Sequence, residues 1–155
     1  MSDKRWIEID RDVASAVTHF SRAVRIADDV AFRADDLAGY TVQMAFMHAM
    51  QSGHTSLENA LTRILRLQGE ELPSGESWQA DLIHRVSVAL QDRPAILPPE
   101  LAEAADETRQ FRNRAVRTYD NFSPDRASPA IQAADRLAQG LTAAVTAFRQ
   151  AIDAD

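Results

Sequence analysis

The stretch Arg109-Gln110-Phe111-Arg112-Asn113-Arg114-Ala115-Val116-Arg117-Thr118-Tyr119-Asp120 places four arginines ahead of any carboxylate, in a chain whose net charge is −6. Read as a helix, at about 100° per residue, it puts Arg112 and Tyr119 almost on one line, two turns apart. Phe111 and Ala115, one turn apart, share a neighbouring line that can face a core. Arg112, Arg117 and Tyr119 then stand at the edge of that core line, where polar heads gather while their stems stay packed.

The rest of the chain agrees with that helical reading. Upstream, the prolines of Asp92-Arg93-Pro94-Ala95-Ile96-Leu97-Pro98-Pro99 remove donors and restrict their predecessors, so this run is not helical throughout. Pro99 suits the opening of a helix from about Glu100 to Tyr119, because a missing N–H costs nothing there. Downstream, Asp120 to Asp125 makes a turn. A last helix from about Pro129 to Ile152 follows, with Ile131, Leu137, Leu141, Val145 and Phe148 on its inner side. Near the start, Val13, Val17, Phe20, Val24, Ala27 and Ala31 recur at helical spacing and predict a core helix over about Asp10 to Phe32. A second helix is predicted after Asp35-Asp36, carrying Leu37, Tyr40, Met44, Met47, Leu57, Leu61, Ile64 and Leu65 inward, with Gly53 marking a bend or break. Gly69 to Ser77 reads as a connection and Trp78 to Leu90 as a shorter helix. The expected fold is all-α, an antiparallel bundle of four to five helices in one domain over 1–155 with a core from about 10 to 153.

Composition narrows the function classes. A chain of 155 residues can bury about two-thirds of its extended surface without a staple. Cysteine is absent, which excludes disulfides and zinc thiolates and suits a reducing cytoplasm. No secretory signal or bilayer-spanning run is read, so membrane contact is not expected. The acidic balance argues against indiscriminate nucleic-acid binding, and any RNA contact has to be local.

Arg112-Asn113-x-x-x-Arg117-x-Tyr119 resembles the signature of HEPN domains of the HepT-like kind, which reads Arg, four residues, His, one residue, Tyr. The segments Leu72-Pro73-Ser74-Gly75-Glu76-Ser77-Trp78, Arg93-Pro94-Ala95 and Phe111-Arg112 look like parts of the same family in the same order. The resemblance runs from about His54 to about Arg126. Arg117 occupies the family's histidine position. The resemblance implies a HEPN-like bundle and a homodimer in which the motif arginine and histidine of two protomers meet and cleave RNA without a metal. It also implies a minimal nucleotidyltransferase as partner in a toxin-antitoxin pair, one that transfers AMP to the tyrosine, here Tyr119. No cofactor and no metal site is expected.

The chemistry separates three readings. Cleavage by the ribose 2′-hydroxyl needs a group that moves a proton near neutral pH and a fixed cation for the developing charge. Arg112 suits the cation role. Arg117 can hold a phosphate bidentately, but its guanidinium stays protonated and is no base. Arg109, Arg112, Arg114 and Arg117 are the candidate RNA or phosphate contacts, and a face salt-bridged to the acidic last helix is the competing reading. His19, His48 and His84 fit structural roles, His48 as a core-edge residue. The pairs His54-x-x-x-Glu58 and Asp81-x-x-His84 read as surface or capping interactions. Met44, Met47 and Met50 read as gap-fillers of a core, and Trp78 as a helix-start anchor. The preferred expectation is a binding module that neutralises or regulates its nucleotidyltransferase with a degenerate ribonuclease motif. The alternatives are a ribonuclease toxin inhibited by AMP on Tyr119, and a substrate-binding subunit of a nucleotidyltransferase.

Overall fold

The computed structural model describes residues 4–117 and 122–153, apart from the side chains of residues 116 and 117. Its five α-helices among these residues are α1 (Lys4–Ala27), α2 (Leu37–Leu67), α3 (Trp78–Val86), α4 (Pro99–Arg117) and α5 (Ser128–Ile152). Short 3-10 turns cover Val30–Arg33 and Pro124–Arg126. The four long helices pack in the ring α2, α1, α5, α4, and α3 fills the side between α2 and α4.

The pairings run antiparallel. Ser15 bonds Ser56 while Arg63 of α2 reaches Asp12 and Glu8, so α1 rises as α2 falls. Arg149 near the end of α5 lies by Asp10 and stacks on Trp6 near the start of α1. At the other end, Phe32, Phe46, Phe111 and Phe122 meet edge to face and tie α2 and α4 to the two connections. The bundle expected from the periodicity is the one observed.

Several elements differ in detail from the sequence reading. Helix α1 begins at Lys4 and stops at Ala27, and its buried line is Trp6, Ile9, Val13, Ala16, Phe20 and Ala23. Val17, Val24 and Ala27 pack at its margin. The helix does not continue to Phe32, because the Asp29 carboxylate caps the separate turn by accepting from the Ala31 N–H. Asp36 caps α2 through the Gly39 N–H at 2.9 Å, as the acidic pair suggested. Leu37 and Tyr40 nevertheless point outward, 79% and 60% exposed. The first turn of α2 meets the preceding connection through Gly39, where an added Cβ would stand 1.8 Å from the Ala34 carbonyl oxygen. Gly53 does not break α2, which is helical throughout Leu37–Leu67; its missing Cβ admits the Phe20 ring, 2.8 Å from where that atom would be.

Helix α3 ends at Val86, short of Leu90, since the Val86 carbonyl accepts the N–H groups of Ile96 and Leu97 and turns the chain away. Arg93 is buried in that turn. Its guanidinium binds both Glu70 oxygens, at 2.5 and 3.0 Å, and the carbonyls of Arg85, Val88 and Pro94. Gly69 and Gly75 sit at φ 73° and 95°, values that favour glycine, in the connection expected from their sequence. Met47 and Met50 fill the core and Met44 its edge. Trp78 opens α3 as expected, 38% exposed.

Candidate functional site

Phe111 and Ala115 are buried, which fixes the rotation of α4 and leaves Arg112 at the margin, turned toward α2. Its Nη1 donates to Glu58 Oε1 at 2.7 Å and, more weakly, to Thr55 Oγ1 at 3.4 Å. The Arg112 side chain keeps 21% of its surface, whereas that of Glu58 keeps 8%. Behind Glu58 stands His54, one turn earlier on α2 and fully buried, its Nε2 3.5 Å from Glu58 Oε2. The other ring nitrogen, Nδ1, lies 2.7 Å from Thr108 Oγ1 on α4, and that hydroxyl lies 3.0 Å from the Ala105 carbonyl oxygen. A chain of polar groups therefore runs from the surface inward: Arg112, Glu58, His54, Thr108.

The electrostatics of the chain follow from its burial. Desolvation pushes the Glu58 pKa up, but the hydrogen bond and charge of His54, then the charge and hydrogen bond of Arg112, outweigh it; the net direction is down. Glu58 thus stays a carboxylate and balances the guanidinium. Asp106 behaves alike: burial raises its pKa, while bonds from Arg109 at 2.8 Å and Gln110 at 2.7 Å, with the Arg109 charge and His54, bring it below its ordinary value. Arg114 reaches Glu107 at 3.4 Å. For Arg109 and Arg112, the competing reading as a face paired with the last helix is corrected in its partners. Arg109, Arg112 and Arg114 pair with α4 itself and with α2, because α4 turns its Phe111–Ala115 face inward and carries Asp106 and Glu107 one to two turns back on the arginine side.

Asn113 is half-buried beside Arg112. Tyr119 lies outside the described residues, and so does the side chain of Arg117. Two histidine readings are corrected. His48 is exposed and not core-edge, since Met47, Ala49 and Met50 take the inward positions around it; it meets half-buried His19 edge to face at 6.4 Å. His19 has a lowered pKa, from desolvation first and then the Arg22 and His48 charges. The His54–Glu58 pair is interior and not a surface interaction, because α4 covers that face of α2. The spacing of the pair was visible in the sequence, but its burial was not, and nothing in the sequence marked Thr108. Asp81 accepts a bond from the Ser77 hydroxyl at 3.1 Å at the start of α3. Among the described residues no three His, Asp or Glu side chains cluster to hold a metal, and no helix is long and apolar enough to cross a membrane.

No curated protein and no solved structure matches the chain. A family model described as HepT-like protein matches residues 45–152, from the first half of α2 through α5 and well over half of the chain. The chain, an all-helical bundle, belongs to the HepT-like family of HEPN proteins.

Proposed function

We propose that this chain is the HEPN component of a prokaryotic toxin-antitoxin pair. In this reading it works as a homodimer in the cytoplasm, binds a minimal nucleotidyltransferase and neutralises or regulates it, with a ribonuclease motif that no longer moves protons. The observation that carries the reading is the engagement of Arg112. Its guanidinium is balanced by a buried carboxylate, and the histidine linked to it stands behind Glu58, fully buried. RNA cleavage through the 2′-hydroxyl needs a proton-transfer group in contact with substrate and a cation open to the developing charge. Arg117 cannot serve as that group at neutral pH, because a guanidinium does not give up its proton there. Arginine–carboxylate pairs at the surface suit recognition of complementary charges on another protein.

The test is co-expression with a minimal nucleotidyltransferase as candidate partner. A complex that survives size-exclusion chromatography is expected, and no RNA cleavage by the free chain. Degradation of RNA by the purified chain, abolished by Arg112→Ala, overturns the reading. Mass analysis after incubation with partner and ATP then shows whether Tyr119 carries AMP, as a ribonuclease restrained by its partner requires.

A further inference from the structure

Between the second half of α2, the connection after it and the start of α3 lies an open cavity of about 340 Å³. Leu72, Pro73 and buried Leu82 supply its apolar lining, and the partly exposed indole of Trp78 stands beside them. The polar lining is one face of α2, Asn59, Thr62, Arg63 and Arg66, which recur at helical spacing. Arg63 is held by two carboxylates of α1, Asp12 on Nε at 2.8 Å and Glu8 on Nη1. Arg66 is exposed. Neither its guanidinium nor the side chains of Asn59, Thr62 and Trp78 have a hydrogen bond or ion pair among the described residues.

We propose that this cavity binds an aromatic carboxylate, its ring against Trp78 and its carboxylate on Arg66. Ligand sites run from about 300 to about 1,000 Å³, so a cavity of this size takes one ring and a short arm. The flat face of the indole suits a stacked ring. A free guanidinium fork pairs with both oxygens of a carboxylate at once. Asn59 and Thr62 each donate and accept, and so hold polar substituents on the ring or the arm. Charge decides how many anionic charges the ligand carries. Arg63 and Arg66 are matched by Glu8 and Asp12, and only Arg66 is uncommitted. A single negative charge meets that open cation, whereas a phosphate, with nearly two, adds repulsion from the carboxylates behind Arg63. A free aromatic acid and the terminal aromatic residue of a polypeptide share this chemistry. The site uses neither Arg112 nor a nucleotidyltransferase, so it stands or falls apart from the proposed function.

Phenylacetate is the probe, titrated into the full chain and followed at the indole N–H resonances by NMR. The chain has two tryptophans, and Trp6 is buried beside Arg149, so the saturable shift belongs to Trp78. Phenylacetamide, which keeps the ring and loses the charge, is expected to bind at least about fivefold more weakly, and so is AMP. Arg66→Gln should weaken phenylacetate by about tenfold and leave phenylacetamide where it was. Trp78→Ala should weaken both, read from the ligand's own saturation-transfer signal, with helix content of each variant checked by circular dichroism. N-acetylphenylalanine separates the two sources: tighter binding than phenylacetate assigns the site to a polypeptide end, weaker binding to a free acid. A Trp78 resonance that does not saturate, phenylacetamide or AMP binding as tightly as phenylacetate, or unaltered affinity in Arg66→Gln would each overturn the proposal.

Discussion

Arg112 and Glu58 form the pair on which the site turns, and their burial is unequal. Removing the cation strands a carboxylate that is nearly sealed from water, whereas removing the carboxylate leaves a guanidinium that can still reach solvent. Arg112→Ala is therefore expected to destabilise the chain by about 2–3 kcal/mol, and Glu58→Gln by less, in urea unfolding. The double variant Arg112→Ala/Glu58→Leu should recover most of the loss, since an apolar side chain at 58 leaves no charge to compensate. With Glu58→Leu alone as the fourth corner of the cycle, additive losses would show that the two side chains do not act as a unit. Arg112 was legible in the sequence because it sits in an unusual run of arginines. Glu58 and Thr108 were not, since either side chain reads as an ordinary polar residue on an amphipathic helix until α4 lies against α2.

At the scale of the element, the glycines of α2 show how a helix is shaped by what crosses it. Gly53 would be expected to gain about 1 kcal/mol on replacement by alanine if only helix propensity counted. The Phe20 ring occupies the space, and that ring is fully buried. Gly53→Ala is accordingly expected to lower stability by about 1–2 kcal/mol through overpacking. Gly39→Ala, aimed at backbone and not at a movable side chain, should cost more and fray the start of α2 in hydrogen exchange. Arg93 plays the matching role between α3 and α4. Its side chain satisfies three carbonyls and the Glu70 carboxylate in a turn without regular structure. Arg93→Ala should cost about 3 kcal/mol in thermal or urea unfolding, because the stranded acceptors are buried with it. The prolines announced this connection, but not the arginine that organises it.

For the molecule as a whole, the pH dependence of folding follows from its depressed carboxylates. Glu58 and Asp106 both have folded-state pKa values below their ordinary 4.5 and 3.8. The stability they contribute is complete above those ordinary values and is lost as pH falls through the lower folded ones. The urea midpoint should therefore drop as pH falls below about 5, and Glu58→Gln should flatten part of that drop. An unchanged profile in Glu58→Gln would mean that the His54 and Arg112 contacts add nothing to folding. The sequence by itself determined the class of fold, the order of its helices, the connection from Gly69 to Ser77 and the placing of Phe111 and Ala115 inside. Those follow from apolar spacing, capping carboxylates and prolines, which act within a few residues along the chain. Only the tertiary structure decided that Leu37 and Tyr40 face out, that Gly53 receives a ring, and that His54 and Glu58 are sealed behind Arg112. Periodicity says which side of a helix is apolar, but the crossing of two helices decides where along that side water is excluded, and a charge-bearing group takes its properties from that exclusion.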